Sequence, residues 1–208
     1  MNTKSIDDFV EKLKVRKSDE TVFNMYENDT LAENLRLYLH AMEERKPAFF
    51  LVGEAPGPWG CRKSGVPFTA EYDLQNRQFF SSGEYSFNIP PEEENTARIV
   101  WDKFEAANFY PLLWNVFPFY PHKEGNPNEL RKPTAKEQNE GKEYIDDLMK
   151  LFGIDYKNIY AVGRIAWGSL KQRNSINAIY IRHPSHGGET KFCDGIDDIL
   201  KKLANKRQ

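Results

Sequence analysis

The sequence predicts an α/β fold with three layers, α/β/α, around a central, mostly parallel sheet of about four strands. Four short apolar runs occur along the 208 residues, and such runs are typical of buried parallel strands. Segments with helical periodicity separate them, which indicates right-handed crossovers with helices on both faces of the sheet. The chain is also long enough to form one sizeable core.

Two amphipathic helices open the chain, and we assign residues 1–46 to them within a single domain of residues 1–208. Ser5 or Thr3 can cap the first helix, and Thr30 is expected to cap the second. The predicted strands are 48–54, 111–119, 158–164 and 178–184. The later helices are residues 95–109, a helix opened by Thr134 and ended by Gly153, and a last one from about Phe192 to Lys206. Residues 120–133, rich in proline and charge, are predicted as a loop.

Composition excludes several classes of protein. No window approaches eighteen apolar residues, and the N-terminal segment lacks the apolar core of a signal peptide. We therefore expect a cytoplasmic protein without a secretion signal, near the nucleoid if the source is bacterial. Two cysteines, Cys61 and Cys193, cannot build a disulfide framework or a four-thiolate metal site. With a net charge of −2, a nucleic-acid partner would have to bind local basic patches.

Polar groups follow the predicted strands where each one ends. In open parallel sheets, ligands bind in the crevice at the carboxyl ends of the strands. The glycine-rich stretch 54–73 follows the first strand, Asn115 lies within the second, Gly163 and Arg164 follow the third, and "RHPSHGG" (182–188) follows the fourth. Three of these four ends carry groups that a core does not require, so a site is predicted here.

The glycine-rich stretch nearly matches a phosphate-binding loop. Aligned on Lys63 and Ser64, the first glycine of G-x-x-x-x-G-K-[ST] is Gly57, but Arg62 replaces the second. The segment that follows is typical of a turn, where the motif requires a helix. We reject a nucleotide site and interpret the glycines and prolines as a shaped binding wall.

Three motifs in order resemble the uracil-DNA glycosylase superfamily over roughly residues 48–200. "GEAPGPWGCRKSGVPFT" (53–69) is similar to its first motif, with a start like that of the family 4 enzymes and a continuation like that of the single-strand-selective monofunctional enzymes. "LLWNVFPFYP" (112–121) resembles the strand carrying the uracil-reading asparagine, and "HPS" (183–185) resembles the second motif. The resemblance implies a four-stranded parallel sheet between helices.

The resemblance implies a base pocket made by Gly53, Gly57, Phe68 and Asn115. Phe68 would stack on an extruded base, although it could instead be an ordinary turn anchor. The Asn115 amide places a donor beside an acceptor, which matches O4 and N3–H of uracil and not the reversed pattern of cytosine. The alternative for Asn115 is a buried amide satisfied by the backbone.

His183 is implied as the catalytic group of the second motif. It would donate to O2 of uracil as negative charge develops on the departing base. The alternative is a structural histidine. Pro184 would hold it rigidly, Ser185 suits a loop pressed against a phosphate backbone, and His186 is assigned to DNA contact or to the surface.

The sequence offers three candidates for the water-positioning residue, because Ala55 occupies the place where related enzymes carry asparagine or aspartate. Glu54 is the family-4-like replacement. Glu71 and Asp73 are the other catalytic candidates, because family 5 enzymes place an aspartate after a similar stretch, and an exposed turn is their alternative.

The cations beside the two motif loops, Arg62, Lys63 and Arg182, are predicted to bind DNA phosphates. Lys63 could instead form a Schiff base, but a solvated phosphate contact is favoured. We expect no cofactor and no metal, since the four-cysteine iron–sulfur pattern of family 4 is absent.

The expected function is a monofunctional glycosylase that removes uracil from DNA during base excision repair, with other deaminated bases such as hypoxanthine or xanthine as further candidate substrates. DNA with a flipped nucleotide is the expected partner, no membrane is involved, and the protein is expected to be a monomer. A non-catalytic DNA- or base-binding relative is the second hypothesis, and an enzyme of free nucleosides or nucleotides is the third.

Overall fold

The computed structural model describes residues 3–171 and 178–206. The strands are β1 (Val22–Phe23), β2 (Phe50–Gly53), β3 (Leu112–Asn115), β4 (Tyr120–Lys123), β5 (Asn126–Leu130), β6 (Ile159–Val162) and β7 (Ile179–Ile181). The helices are α1 (Ile6–Val15), α2 (Asp29–Arg45), α3 (Cys61–Ser64), α4 (Glu71–Asn76), α5 (Asn95–Ala107), α6 (Ala135–Phe152), α7 (Arg164–Lys171) and α8 (Glu189–Lys206). Among the described residues, no helix is both long and apolar enough to cross a membrane.

The central sheet is parallel, with strand order β3-β2-β6-β7, and it contains the four predicted strands. Helices cover both faces. On one face, Phe9 of α1 packs edge-on against Trp114 with ring centroids 5.3 Å apart. On the other, Gly195 of α8 lies so close to Ile181 that an added Cβ would come within 3.0 Å of its Cγ2. The predicted α/β/α fold class is thereby confirmed.

The edge strand β3 is protected by a helix. Its residue Leu113 donates its backbone N–H to the hydroxyl of Tyr38 in α2, at 2.9 Å, in the fully buried interior. Since an open strand edge invites pairing with another chain, this contact closes one side of the sheet. The N-terminal helices are therefore packed into the same core as the sheet.

Three of the predicted helix ends are observed. Ser5 caps α1 by accepting from the N–H of Asp8, and Gly153 ends α6 with φ of 62°. Thr134 opens α6 in a reciprocal capping box with Glu137. The predicted cap of α2 was wrong: Asn28 caps it by accepting from the N–H of Thr30 and Leu31, because the helix already begins at Asp29.

The segment 120–133 is not the loop that was predicted. It forms the antiparallel pair β4 and β5, which joins β1 in a second sheet of order β1-β4-β5. Gly125 supplies the left-handed turn between them, with φ of 70°. All five residues of β5 are exposed, so no alternation of apolar and polar residues marks it in the sequence.

The last helix, α8, begins at Glu189, three residues before the predicted start at Phe192.

Candidate active site

A cavity of about 680 Å³ opens at the carboxyl ends of the four central strands. Most of the residues proposed for catalysis or base binding line it: Gly57 and Glu54 from the first motif with Phe68, Asn115 from β3, and His183 from the second motif. Further lining residues are Ala55, Gly163, Arg164, Tyr180, Arg182, Ser185, His186, Glu94 and Leu130. The crevice expected from the strand order is therefore present, and the resembling motifs meet in it.

Phe68 and Asn115 line the cavity, and Gly53, which does not line it, lies against both of them. The parallel register places Gly53 of β2 directly beside Asn115 of β3. A Cβ added to Gly53 would lie 2.7 Å from Oδ1 of Asn115 and 2.5 Å from Cζ of Phe68. Only glycine leaves room for both side chains, so the aromatic ring and the amide are held next to each other.

The backbone at Phe68 is strained. Its φ of 54° lies in the left-handed region, which bulky residues rarely adopt. Strain of this kind persists only where the surrounding structure enforces it, and it is common at functional sites. The turn places the half-buried ring against Gly53 and in the cavity wall.

The Asn115 side chain is almost entirely buried, at 4% exposure, yet its amide has no hydrogen-bond partner within the described part of the chain. A buried amide normally finds partners in the protein. The unpartnered amide at the cavity floor therefore favours ligand binding over the structural alternative.

The second-motif loop fixes one tautomer of His183. Nδ1 lies 3.2 Å from the backbone N–H of Ser185 and 2.8 Å from its Oγ. A backbone N–H can only donate, so Nδ1 is an acceptor and the proton of the neutral ring resides on Nε2. Burial lowers the pKa of His183 to about 4, with smaller contributions from the charges of Arg182 and His186. The ring is therefore a neutral donor at neutral pH.

Glycines shape the pocket around this histidine. Gly163, with φ of 92°, packs against the His183 side chain, to which an added Cβ would come within 3.5 Å. Gly188 allows no side chain, because a Cβ there would lie 2.0 Å from the carbonyl oxygen of His183.

Glu54 is the one of the three predicted carboxylates that lines the cavity. It is partly buried, and desolvation raises the pKa of its carboxyl, while the charge of Lys132 opposes this shift. Its neighbour Ala55 also lines the cavity and presents only a methyl group.

Glu71 and Asp73 are outside the cavity and serve the fold. Both are buried, at 1% and 2% exposure, rather than in the exposed turn that was their alternative. Glu71 accepts from the N–H and the side-chain amide of Asn88 and from the N–H of Glu92. Asp73 accepts from the N–H of Ala70 and from Nε of Arg77. These carboxylates tie α4 to neighbouring segments.

The predicted DNA-binding residues are in two places. Arg182, Ser185 and His186 line the cavity, and Pro184 is buried behind them. Arg62 and Lys63 do not line it.

Arg62 lies over the ring of Tyr120, 4.5 Å from its centroid, and next to the second sheet.

The lining of the cavity also includes residues that sequence reasoning did not assign. Tyr180, Glu94 and Leu130 had no motif around them, whereas Arg164 directly follows a strand and could have been selected on that ground.

Metal-ligating side chains are not clustered: within residues 3–171 and 178–206, no three His, Cys, Asp or Glu residues could hold a metal together. Cys61 is buried in the cavity wall, and burial raises the pKa of its thiol to about 12. Such a thiol is protonated and unreactive at neutral pH.

Comparison with known proteins identifies the fold. No family model and no curated protein matches the sequence. The crystal structure of wild-type Pedobacter heparinus SMUG2 matches with a TM-score of 0.68, over 97% of this chain and 99% of that chain, at 13% identity. The two chains share a fold. The match spans nearly the full length of both, so the three-layer architecture includes the N-terminal helices as well as the sheet.

Proposed function

We propose that the protein is a monofunctional DNA glycosylase that hydrolyses the N-glycosidic bond of uracil in DNA. The observation that carries this proposal is the packing of the Phe68 ring against Gly53, next to the unpartnered amide of Asn115. His183 lines the same cavity. An aromatic face, an amide that can distinguish uracil from cytosine and a neutral imidazole donor are the groups that base excision requires.

Each group has a role set by its chemistry. Phe68 stacks on the extruded base, and the Asn115 amide pairs with O4 and N3–H. Nε2–H of His183 donates to O2 as the base departs as an anion, so a neutral imidazole is the useful form. The reaction as proposed needs neither a metal nor a cofactor, because these donors stabilise the leaving group.

Glu54 is proposed to position the attacking water and to stabilise the positive charge that develops on the sugar. A pKa raised by burial makes its carboxylate a stronger base than a solvated one, which favours proton abstraction from water. Arg182, Ser185 and His186, with Arg62 and Lys63 farther out, are proposed to contact the DNA backbone. We expect the protein to act as a monomer.

The deciding experiment is excision from a uracil-containing oligonucleotide, with alkali to cleave abasic sites and a thymine oligonucleotide as control. We expect cleavage at uracil only, unchanged in EDTA. Hypoxanthine and xanthine oligonucleotides would then define the base preference. Loss of activity in EDTA with recovery on adding a divalent ion would contradict the metal-independent mechanism.

A non-catalytic DNA-binding relative is the second candidate, and Ala55 favours it because a methyl group cannot orient water. This candidate predicts selective binding of uracil-containing DNA without any abasic product. Product formation under single-turnover conditions would eliminate it.

A further inference from the structure

Tyr180 and two arginines form a surface in the cavity wall, and of the three only Arg182 has a role in the proposed function, as a contact to the DNA backbone. We call Tyr180, Arg164 and Arg182 the edge-strand surface. All three line the cavity, and Tyr180 is on β7, the outer strand of the sheet. Single exposed aromatic residues are common on protein surfaces, so an argument for function needs evidence beyond exposure.

The ring of Tyr180 is held from one side and open on another. Trp167 of α7 packs edge-on against it, with ring centroids 6.1 Å apart and an interplanar angle of 73°. Lys171 in turn lies over the Trp167 ring, 4.7 Å from its centroid. Tyr180 is nevertheless 39% exposed. A supported ring with an open side is suited to stacking on a planar ligand.

The neighbouring charges are positive and available. Arg182 directly follows β7, two residues after Tyr180, and both residues line the cavity. Within the described part of the chain, Arg182 hydrogen-bonds only to the carbonyl oxygens of Ser185 and His186, at 3.4 and 3.3 Å. Arg164 follows the adjacent strand β6 and has no partner among the described residues.

Two arginines elsewhere in the described chain are neutralised by several carboxylates each. Arg36 pairs with Asp7, Glu11 and Glu33, and Arg77 pairs with three carboxylates as well. Neither arginine of the edge-strand surface has a carboxylate partner in the described residues. Unpaired guanidinium groups beside an open aromatic ring are complementary to a phosphate–base–phosphate unit.

We propose that the base adjacent to the extruded nucleotide, on the same strand, stacks on Tyr180 while Arg164 and Arg182 bind the flanking phosphates. This inference rests on the proposed function, because it takes the extruded base to be in the cavity. The ligand is a nucleotide of single-stranded DNA, since a base within a duplex is already stacked and paired.

The test is a coupling experiment between Tyr180 and the neighbouring base. Binding and single-turnover excision are measured on single-stranded oligonucleotides with one uracil. The neighbouring base is intact, or replaced by a base-free tetrahydrofuran spacer on the 5′ or on the 3′ side. Wild type, Tyr180→Ala and Tyr180→Phe are compared. Tyr156→Ala is the matched control, because Tyr156 is also 39% exposed but precedes the amino end of β6, whereas the cavity is at the carboxyl ends of the strands.

We expect one of the two spacers to weaken wild-type binding on the order of tenfold, as stacked bases do. Tyr180→Ala should bind the intact oligonucleotide more weakly than wild type by a similar factor. The same spacer should not weaken the binding of Tyr180→Ala any further. Tyr180→Phe and Tyr156→Ala should behave as wild type. Arg164→Gln should lower the salt dependence of binding by about one phosphate.

The stacking proposal would be overturned if the spacer weakened the binding of Tyr180→Ala by the same factor as it weakens the binding of wild type. It would also be overturned if wild type bound all three oligonucleotides equally. If wild type binds but never excises uracil, the catalytic proposal fails while the coupling in binding still decides the role of Tyr180. A wild-type protein that binds none of the oligonucleotides would overturn both.

Discussion

The backbone N–H of Ser185 donates to Nδ1 of His183 at 3.2 Å. This contact assigns the imidazole proton to Nε2 and, together with burial, keeps the ring neutral. It links the shape of the loop 182–188 to the protonation state that the proposed chemistry requires.

Acid should destabilise the protein through His183. Its pKa falls from an ordinary 6.5 to about 4 on folding, so between these pH values the unfolded chain binds a proton that the folded chain does not. Stability therefore rises with pH across this window and is lost as pH falls toward 4, by up to about 3 kcal/mol. Urea unfolding of wild type and His183→Asn from pH 7 to pH 4 measures the difference. Parallel pH profiles would contradict the assigned shift.

Asn115→Asp should lower uracil excision at least ~100-fold, about 2.7 kcal/mol in the barrier, because a carboxylate faces O4 where an amide donated. Asn34→Asp is the matched control. That buried amide donates to the carbonyls of Ser64 and Ser86, so its change should reduce the melting temperature rather than the specific activity. Excision within threefold of wild type for Asn115→Asp would make Asn115 a structural amide.

Glu54→Gln should reduce the single-turnover rate ~100-fold or more with little change in DNA binding, since general-base effects are typically ~10²–10⁴-fold. Glu71→Gln is the matched control, because the Glu71 carboxylate lies outside the cavity and hydrogen-bonds to Asn88 and Glu92. This variant should be less stable than wild type, and its folded fraction should excise uracil at nearly the wild-type rate. Should Glu54→Gln keep full activity, the water is positioned by the backbone or by another group.

Gly53→Ala tests the contact between the stacking ring and the amide. The added methyl would displace Cζ of Phe68 and Oδ1 of Asn115, and displacements of this size can cost ~100-fold in rate. Gly168→Ala is the control, since nothing lies within 4 Å of a Cβ at that position and Gly168 does not line the cavity. We expect Gly53→Ala to lose activity with modest loss of stability and Gly168→Ala to resemble wild type. Equal activities would show that ring and amide adjust freely.

Lys63→Gln should reduce the salt dependence of DNA binding by about one phosphate on all sequences alike. Arg62→Gln should do the same and also lower the melting temperature, because the guanidinium packs over Tyr120. Binding titrations at several salt concentrations measure both slopes. An unchanged slope for both variants would place the DNA path away from this helix.

The sequence by itself determined the features that depend on short stretches of chain. The apolar runs specified the four central strands, and Thr134 and Gly153 specified the limits of α6, because burial and capping act on residues a few positions apart. Phe68, Asn115 and His183 could be selected since each is within a motif. Their meeting in one cavity followed from parallel strands having their carboxyl ends at one edge.

The tertiary structure decided what depends on partners distant in sequence. The sequence makes Glu71 a catalytic candidate, and only the fold shows that its carboxylate accepts from Asn88 and Glu92, seventeen and twenty-one residues away. The β4–β5 hairpin carries no apolar alternation, so only its pairing reveals it. Tyr180 is an ordinary strand residue in sequence, and its place in the same cavity wall as Arg164 arises from the pairing of β6 with β7. Local patterns cannot encode such neighbours, because long-range contacts are selected by the packing of the whole core.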